Sequence, residues 1–363
     1  MIKSVKFRIY PNKMQKEFID QTLEYCRIVY NKGLELRTKS LKTKERAGFK
    51  ETSALVTKLK KSKKFAFLKR ADAVALIQSV KDLDIGFKKY YKKTAKFPRF
   101  KRKTEGRMAY RTVNNQGSIR ITGKYIRLPK VGYIKVIQTM DVGRIHFATV
   151  ERTATGKYYV SLCVDFEPEK RVNEGKAIGI DVGIKTFYTD SNGNKVDNPR
   201  YLEKMGKRLA RERRRLSRKQ SGSNNYKKQR IKVAKVYEKI SNQRNDFLQK
   251  QSTILLRENK TVCIEDLNVQ GMKRNHKLAN QITSASWTSF FYMLAYKAKW
   301  YGNIIRSVPN NYTSSQTCNC CGYQYRKVRT KNLRFWECPV CHAKHDRDIN
   351  ASINILKKGL EQA

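Results

Sequence analysis

The sequence predicts an α/β protein joined to a β barrel, with a strand-rich first half interrupted by helices and a second half of short buried strands between long helices. Three observations carry this prediction. Alternating apolar and polar residues run over 2–10 and return as short stretches between 98 and 166. Apolar residues at helical spacing fill the interval between them. Two continuous apolar runs, Ile178-Gly179-Ile180-Asp181 and Val262-Cys263-Ile264-Glu265, each lead into a carboxylate.

Taken in order, Pro11 ends the first strand, because proline lacks the N–H that a strand ladder needs. Phe18, Leu23, Cys26, Val29, Tyr30 and Leu34 then predict a helix over 13–36, and further helices are expected over 55–68 and 71–91. Strands follow over 125–128, 132–136 and 158–164, separated by Gly and Asn turns. Residues 171–175 read as a linker. Beyond the first apolar run, 186–189 and the turn Ser191-Asn192-Gly193-Asn194 suggest a hairpin. Met205, Leu209 and Leu216, then Val233, Tyr237, Ile240 and Phe247, fit two long helices broken at 221–225. A helix over 287–300, a strand over 303–308 and a closing helix over 348–358 complete the chain.

The charge narrows the function classes. Eighty lysines and arginines face thirty acidic residues over 363 positions, a formal net charge of +50. With 39% hydrophobic and 10% aromatic residues the chain is too apolar for a disordered basic tail, and its length suggests two or three domains. A freely soluble metabolic enzyme rarely tolerates such self-repulsion, so a polyanion is expected as partner, nucleic acid first and an anionic membrane surface second. No apolar run reaches the ~18–20 residues of a bilayer span, and the first residues lack the apolar segment of a secretory signal. The basic residues cluster. Residues 87–103 hold nine bases and five aromatics without an acid, and 201–250 hold seventeen bases against four acids. Candidate phosphate contacts are Lys88, Lys89, Lys92, Lys93, Arg99, Lys101 and Arg102 in the first run. The helix pair offers Arg213, Arg214, Arg215, Arg218 and Lys227.

Against this background the acids at the ends of apolar runs stand out. Asp181 and Glu265 are costly there unless a cation or hydrogen bonds compensate, and Asp346 or Asp348 opens the last helix. Singly, each also fits a structural use as a turn cap, an ion-pair partner or a helix N-cap. Together, a strand-end Asp, a strand-end Glu and a helix Asp could hold two Mg²⁺ ions for phosphodiester hydrolysis. Five of eight cysteines fall in the last fifty residues. Cys318-x2-Cys321, sixteen intervening residues and Cys338-x2-Cys341 give the spacing of a closed, structural four-thiolate Zn²⁺ site. Cys320 is left over, and His342 and His345 are expected at the surface or facing nucleic acid. Between the knuckles, Arg326 and Arg334 lie among aromatics suited to stacking.

These residues in this order resemble the TnpB family of transposon-encoded, RNA-guided DNA endonucleases, relatives of type V CRISPR effectors. Phe7-Arg8-Ile9-Tyr10-Pro11 with Cys26-Arg27-Ile28-Val29-Tyr30-Asn31 is similar to the family's opening, and Phe97-Pro98-Arg99-Phe100-Lys101 to its mid-region signature. The runs around Asp181, Glu265-Asp266-Leu267-Asn268 and Asp346-Arg347-Asp348-Ile349-Asn350-Ala351 look like the three RuvC motifs. Thr313-Ser314-Ser315-Gln316 and the paired cysteines resemble the inserted zinc element. Ser352 departs from the family, which often has alanine there. The resemblance implies Asp181, Glu265 and Asp348 as the catalytic, Mg²⁺-holding acids, and so selects Asp348 over Asp346. It implies a wedge β barrel (1–11 and 96–171) with a helical recognition insertion (12–95). A RuvC (RNase H-like) domain follows (172–363), with its zinc ribbon at 313–345. The implied partners are a guide RNA and double-stranded target DNA, with no membrane and no small-molecule cofactor. The implied setting is a prokaryotic cytoplasm, at the nucleoid, as a monomer with its RNA. A transposase using the same acids and a repressor that binds DNA without cutting it are the competing readings.

Overall fold

A computed structural model describes residues 1–43, 47–103, 108–138, 140–168 and 176–361. The chain divides into two compact units, Met1–Glu167 and Pro168–Ala363. The expected linker at 171–175 lies outside the described residues.

The first unit opens with β1 (Ile2–Tyr10), then α1 (Lys13–Lys42). The switch is local. After Pro11, the Asn12 side chain accepts from the Gln15 N–H at 2.9 Å and Gln15 Oε1 accepts from the Asn12 N–H at 3.0 Å, a reciprocal capping box. Next come α2 (Phe49–Lys61), a 3₁₀ segment (Lys63–Arg70) and α3 (Ala73–Tyr91). The single helix expected over 55–68 is divided because Ser62 takes an extended conformation, with ψ of 133°. Six strands follow: β2 (Met108–Val113), β3 (Arg120–Thr122), β4 (Tyr125–Leu128), β5 (Gly132–Ile137), β6 (Ile145–Arg152) and β7 (Tyr158–Asp165). They join β1 in an antiparallel sheet of order β2-β6-β7-β1-β5-β4-β3. Among the described residues β2 and β3 remain edges, so the expected barrel is a curled, open sheet. One face of it shares an apolar core with the helices, around Phe7, Ile9, Ile19, Leu76, Ile126, Val150 and Leu162.

The second unit holds β8 (Ala177–Val182), β9 (Thr186–Asp190) and β10 (Lys195–Asp197), then α4 (Tyr201–Lys204), α5 (Gly206–Ser217) and α6 (Asn224–Glu258). After β11 (Thr261–Glu265) come α7 (Val269–Met272), α8 (His276–Ala285), α9 (Trp287–Tyr301) and β12 (Ile304–Val308). The ribbon region contributes α10 (Lys327–Thr330), β13 (Phe335–Glu337) and β14 (Lys344–Asp346), and α11 (Arg347–Leu360) closes the chain. The sheet order is β10-β9-β8-β11-β12, with β8, β11 and β12 parallel and β9 and β10 antiparallel. The fully buried central strands explain the continuous apolar runs. Long α6 and α9 bury Leu248, Leu255, Phe290 and Leu294 against the sheet.

On the sheet, α11 makes a very close approach. A Cβ built on Gly179 would lie 2.6 Å from the Leu356 backbone nitrogen, and one built on Gly359 would lie 2.5 Å from Cys263 Sγ. Only hydrogen fits at these two positions. Gly179→Ala is therefore expected to destabilise the fold by about 2 kcal/mol, because the obstacle is backbone and cannot rotate away. Differential scanning calorimetry should show melting about 4–8 °C lower.

Candidate active site and nucleic-acid interface

The register of the parallel strands places the first two acids. Ile180 on β8 pairs with Ile264 on β11, so Asp181 and Glu265 stand side by side where both strands end. In open parallel sheets that end is where ligands bind. The third acid comes from the N-terminus of α11. Asp346 is its N-cap, with Oδ1 accepting from the N–H groups of Asp348 at 3.0 Å and Ile349 at 3.2 Å, while Lys195 Nζ donates to Oδ2 at 2.6 Å. Burial works to raise Asp346, but Lys195 and the two amides prevail and hold it below the ordinary aspartate range. Asp346 is thus committed to the backbone, and Asp348 is the acid that faces the others.

All three carboxylates line one cleft of about 570 Å³, together with Ser314, Arg329, Arg334 and Arg347. Burial first, then the charges of Glu265 and Asp348, pushes the Asp181 carboxyl well above its usual range. Burial also raises Glu265, against the opposing hydrogen bond that the Ser314 hydroxyl donates to Oε1 at 2.6 Å. Arg334 pairs with Asp348. Among the described residues, groups of three or more ligand atoms within 4.8 Å of one another occur only in the ribbon, at the four paired cysteines and at Cys318, Cys320 and His345. The acids therefore share their cleft more loosely. The donor set nonetheless fits a divalent cation. Burial and then the neighbouring negative charges oppose ionisation of Asp181, and a cation held among these hard oxygen donors would offset both.

Sequence reasoning missed the device that holds the floor of this cleft. Asn350 and Asn354, one turn apart on α11, both donate to the Thr317 carbonyl, at 2.7 and 2.6 Å, and Asn354 also reaches the Ser314 carbonyl at 2.9 Å. Both are buried. Two asparagines at i and i+4 on an otherwise apolar face were the available signal.

Cys318, Cys321, Cys338 and Cys341 converge with all sulfurs within 4.8 Å, and two Sγ···Sγ separations are 3.6 Å. That matches the edge of about 3.8 Å for a tetrahedron with Zn–S bonds near 2.3 Å. Gly322, with φ of 78°, makes the turn of one knuckle. His342 is exposed beside Glu337, as expected, but His345 is not at the surface. It is buried, with Nε2 3.1 Å from Cys318 Sγ and its ring 4.6 Å from that of Trp336. The correction has a plain cause: β14 pairs His345 opposite Trp336 on the inner side of the ribbon hairpin. Cys320 is exposed.

The basic candidates fall in both units. Lys88, Lys89, Lys92, Lys93, Arg99, Lys101 and Arg102 are exposed at and beyond the end of α3 in the first unit. The backbone of this run is pinned to α1 by Asn31, which donates to the Lys101 carbonyl at 3.0 Å and accepts from its N–H at 2.9 Å. Arg213, Arg214, Arg215, Arg218 and Lys227 are exposed along α5 and the start of α6, and Arg326 is exposed in the ribbon. Arg334 is diverted to the acid cleft. No helix among the described residues is long and apolar enough to cross a membrane.

Comparison with known proteins now decides the family. A protein of Streptomyces pristinaespiralis named as an RNA-guided DNA endonuclease is 36% identical over 99% of this chain and 89% of its own length. The chain belongs to the TnpB family. Another member, InsQ of Escherichia coli K12, also named as an RNA-guided DNA endonuclease, is 28% identical over 99% of this chain and 92% of its own. The family model described as "Probable transposase", of the OrfB IS605 type, matches residues 161–276, and the Cas12f1-like TNB domain matches 287–355. A helix-turn-helix model matches 1–46, of which the described residues form β1 and one helix, α1. A structure solved as a Cas12f1–sgRNA–target DNA complex shares the fold with a TM-score of 0.58, 15% identity and 98% coverage of both chains. A Cas-phi3 RNA-guided endonuclease aligns with a TM-score of 0.52 and 9% identity over 99% of this TnpB-family chain and 92% of its own.

Two outcomes are expected. A carboxyl with a raised native pKa keeps in the fold a proton that the unfolded chain releases. Metal-free stability therefore falls as pH rises above the ordinary aspartate range. Asp181→Asn should raise the metal-free melting temperature at pH 7 by about 2–4 °C, roughly 1 kcal/mol, and the gain should shrink as pH is lowered toward 4. At the ribbon, Cys338→Ser should reduce bound zinc, measured by atomic emission, from about one per chain to none.

Proposed function

We propose that this protein is an RNA-guided DNA endonuclease that hydrolyses phosphodiester bonds at a RuvC-type centre formed by Asp181, Glu265 and Asp348. The observation that carries the reading is the meeting of three part-buried acids in one cleft of a chain with a net charge of +50. Membership of a family whose members bear that name supports it. The same acids would hold two Mg²⁺ ions, which would supply an activated water and charge stabilisation at the leaving oxygen. The chain's own side chains do the rest. Ser314 fixes the Glu265 carboxylate, and Asp346 holds the first turn of α11 so that Asp348 projects into the cleft. Arg334, Arg329 and Arg347 are placed to take the charge of the scissile phosphate once Asp348 turns to a cation.

In this reading the exposed bases of the first unit and of α5–α6 hold the guide RNA and the duplex, which neutralise the protein's charge. Base pairing reads the target, and the protein reads a short flanking duplex motif. The partners are thus guide RNA and double-stranded DNA. The cysteine site, with zinc, shapes the ribbon that carries Arg334.

The chain expressed together with the DNA flanking its gene should co-purify with an RNA overlapping that flank, and the complex should cut a plasmid matching the RNA's guide segment. Asp181→Ala should bring cutting below detection while RNA binding stays within about twofold. Cutting by Asp181→Ala in the presence of EDTA would overturn the two-metal centre. Strand-transfer products formed without RNA would favour a transposase.

A further inference from the structure

A second chamber, of about 690 Å³, lies beside the acid cleft in the second unit and shares Ile184 and Lys185 with it. Its volume is within the range of small-ligand pockets. Three chemistries meet on its walls. Lys185, Arg200 and Arg213 supply positive charge against a single acid, Glu203, which sits 4.0 Å from Arg200. Arg213 lies with its guanidinium carbon 5.4 Å from the centre of the Tyr237 ring, and Tyr237 is 40% exposed. Asn280 and Gln281 on α8 present exposed carboxamides. Asn198 also lines the chamber. Its Oδ1 accepts from the Arg200 N–H at 3.1 Å and its Nδ2 donates to the Ile184 carbonyl at 2.9 Å, tying the β10–α4 connection to the turn that borders the acids.

A nucleotide has three recognisable parts: an anionic phosphate, a flat π-face and a polar base edge. Cations, a ring stacked with a guanidinium, and carboxamides recognise them in that order. In a duplex the face is covered by its neighbours, so a site built from ring and amides favours an unpaired base. We propose that this chamber seats the unpaired DNA nucleotide adjoining the scissile phosphate, and that Asn280 and Gln281 read its edge and give the cut a local base preference. The inference rests on the nuclease reading and adds to it a substrate subsite.

The test has two arms, both on the full chain with its co-purified RNA. In the first, target DNA carrying 4-thiothymidine next to the cut is irradiated with the Asp181→Ala complex. Mass spectrometry should find the adduct on α8 or at Tyr237, and Tyr237→Ala should lower the α6 adduct. In the second, targets differing only in the base adjoining the cut are cleaved by otherwise wild-type protein. Rates should differ by about five- to hundredfold between best and worst base, the discrimination of a well-placed carboxamide. The double variant Asn280→Ala, Gln281→Ala should cut all of them at rates within about twofold of one another. Adducts confined to other segments, or a base preference unchanged in the double variant, would overturn the subsite while leaving the nuclease intact. A wild-type complex that cuts nothing would overturn the nuclease reading and the subsite with it.

Discussion

The contact on which this site depends is the seating of α11 on the parallel strands at Gly179 and Gly359. Hydrogen instead of a side chain at Gly179 lets the helix backbone approach β8 closely enough for Asp348 to share a cleft with Asp181 and Glu265. The same helix presents Asn350 and Asn354 to the carbonyls of the segment ahead of the first cysteine pair, so one element sets both the third acid and the base of the ribbon. A bulkier residue at 179 would shift the two together.

Electrostatics explains why such a centre persists in so basic a chain. Burial makes these acids costly, and their mutual repulsion adds to the cost, as the raised Asp181 carboxyl shows. The surrounding guanidinium groups moderate that repulsion when no cation is held, most directly through Arg334 on Asp348. The arrangement costs some stability, a cost common at functional sites.

Much of this was legible in the sequence, for identifiable reasons. The first strand and helix are bounded by Pro11 and a capping box, both local signals. The runs ending at Asp181 and Glu265 read as buried strands because parallel strands covered on both faces are apolar throughout. Cysteine spacing exposes a zinc site because the ligand geometry constrains the chain itself. What escaped depends on distant partners. Whether seven strands close into a barrel is decided by the pairing of β2 and β3, far apart in the sheet order. The side of a hairpin on which His345 falls follows from its register with Trp336. Helix α7 is a single turn, too short to show a period, and α8 offers only one short apolar face, with Ile282 and Ala285 buried. Asp346 and Asp348, two residues apart, were separated by the resemblance alone, and the N-cap hydrogen bonds of Asp346 give the physical reason for the difference.

The reach of Arg334 from the ribbon hairpin to Asp348 makes the ribbon part of the cleft's lining. Excising the finger would remove more than a peripheral ornament, since it would strip away Arg334, Arg329 and the segment that steadies Glu265. A shortened version of this chain would have to lose residues elsewhere to keep the cleft's lining intact.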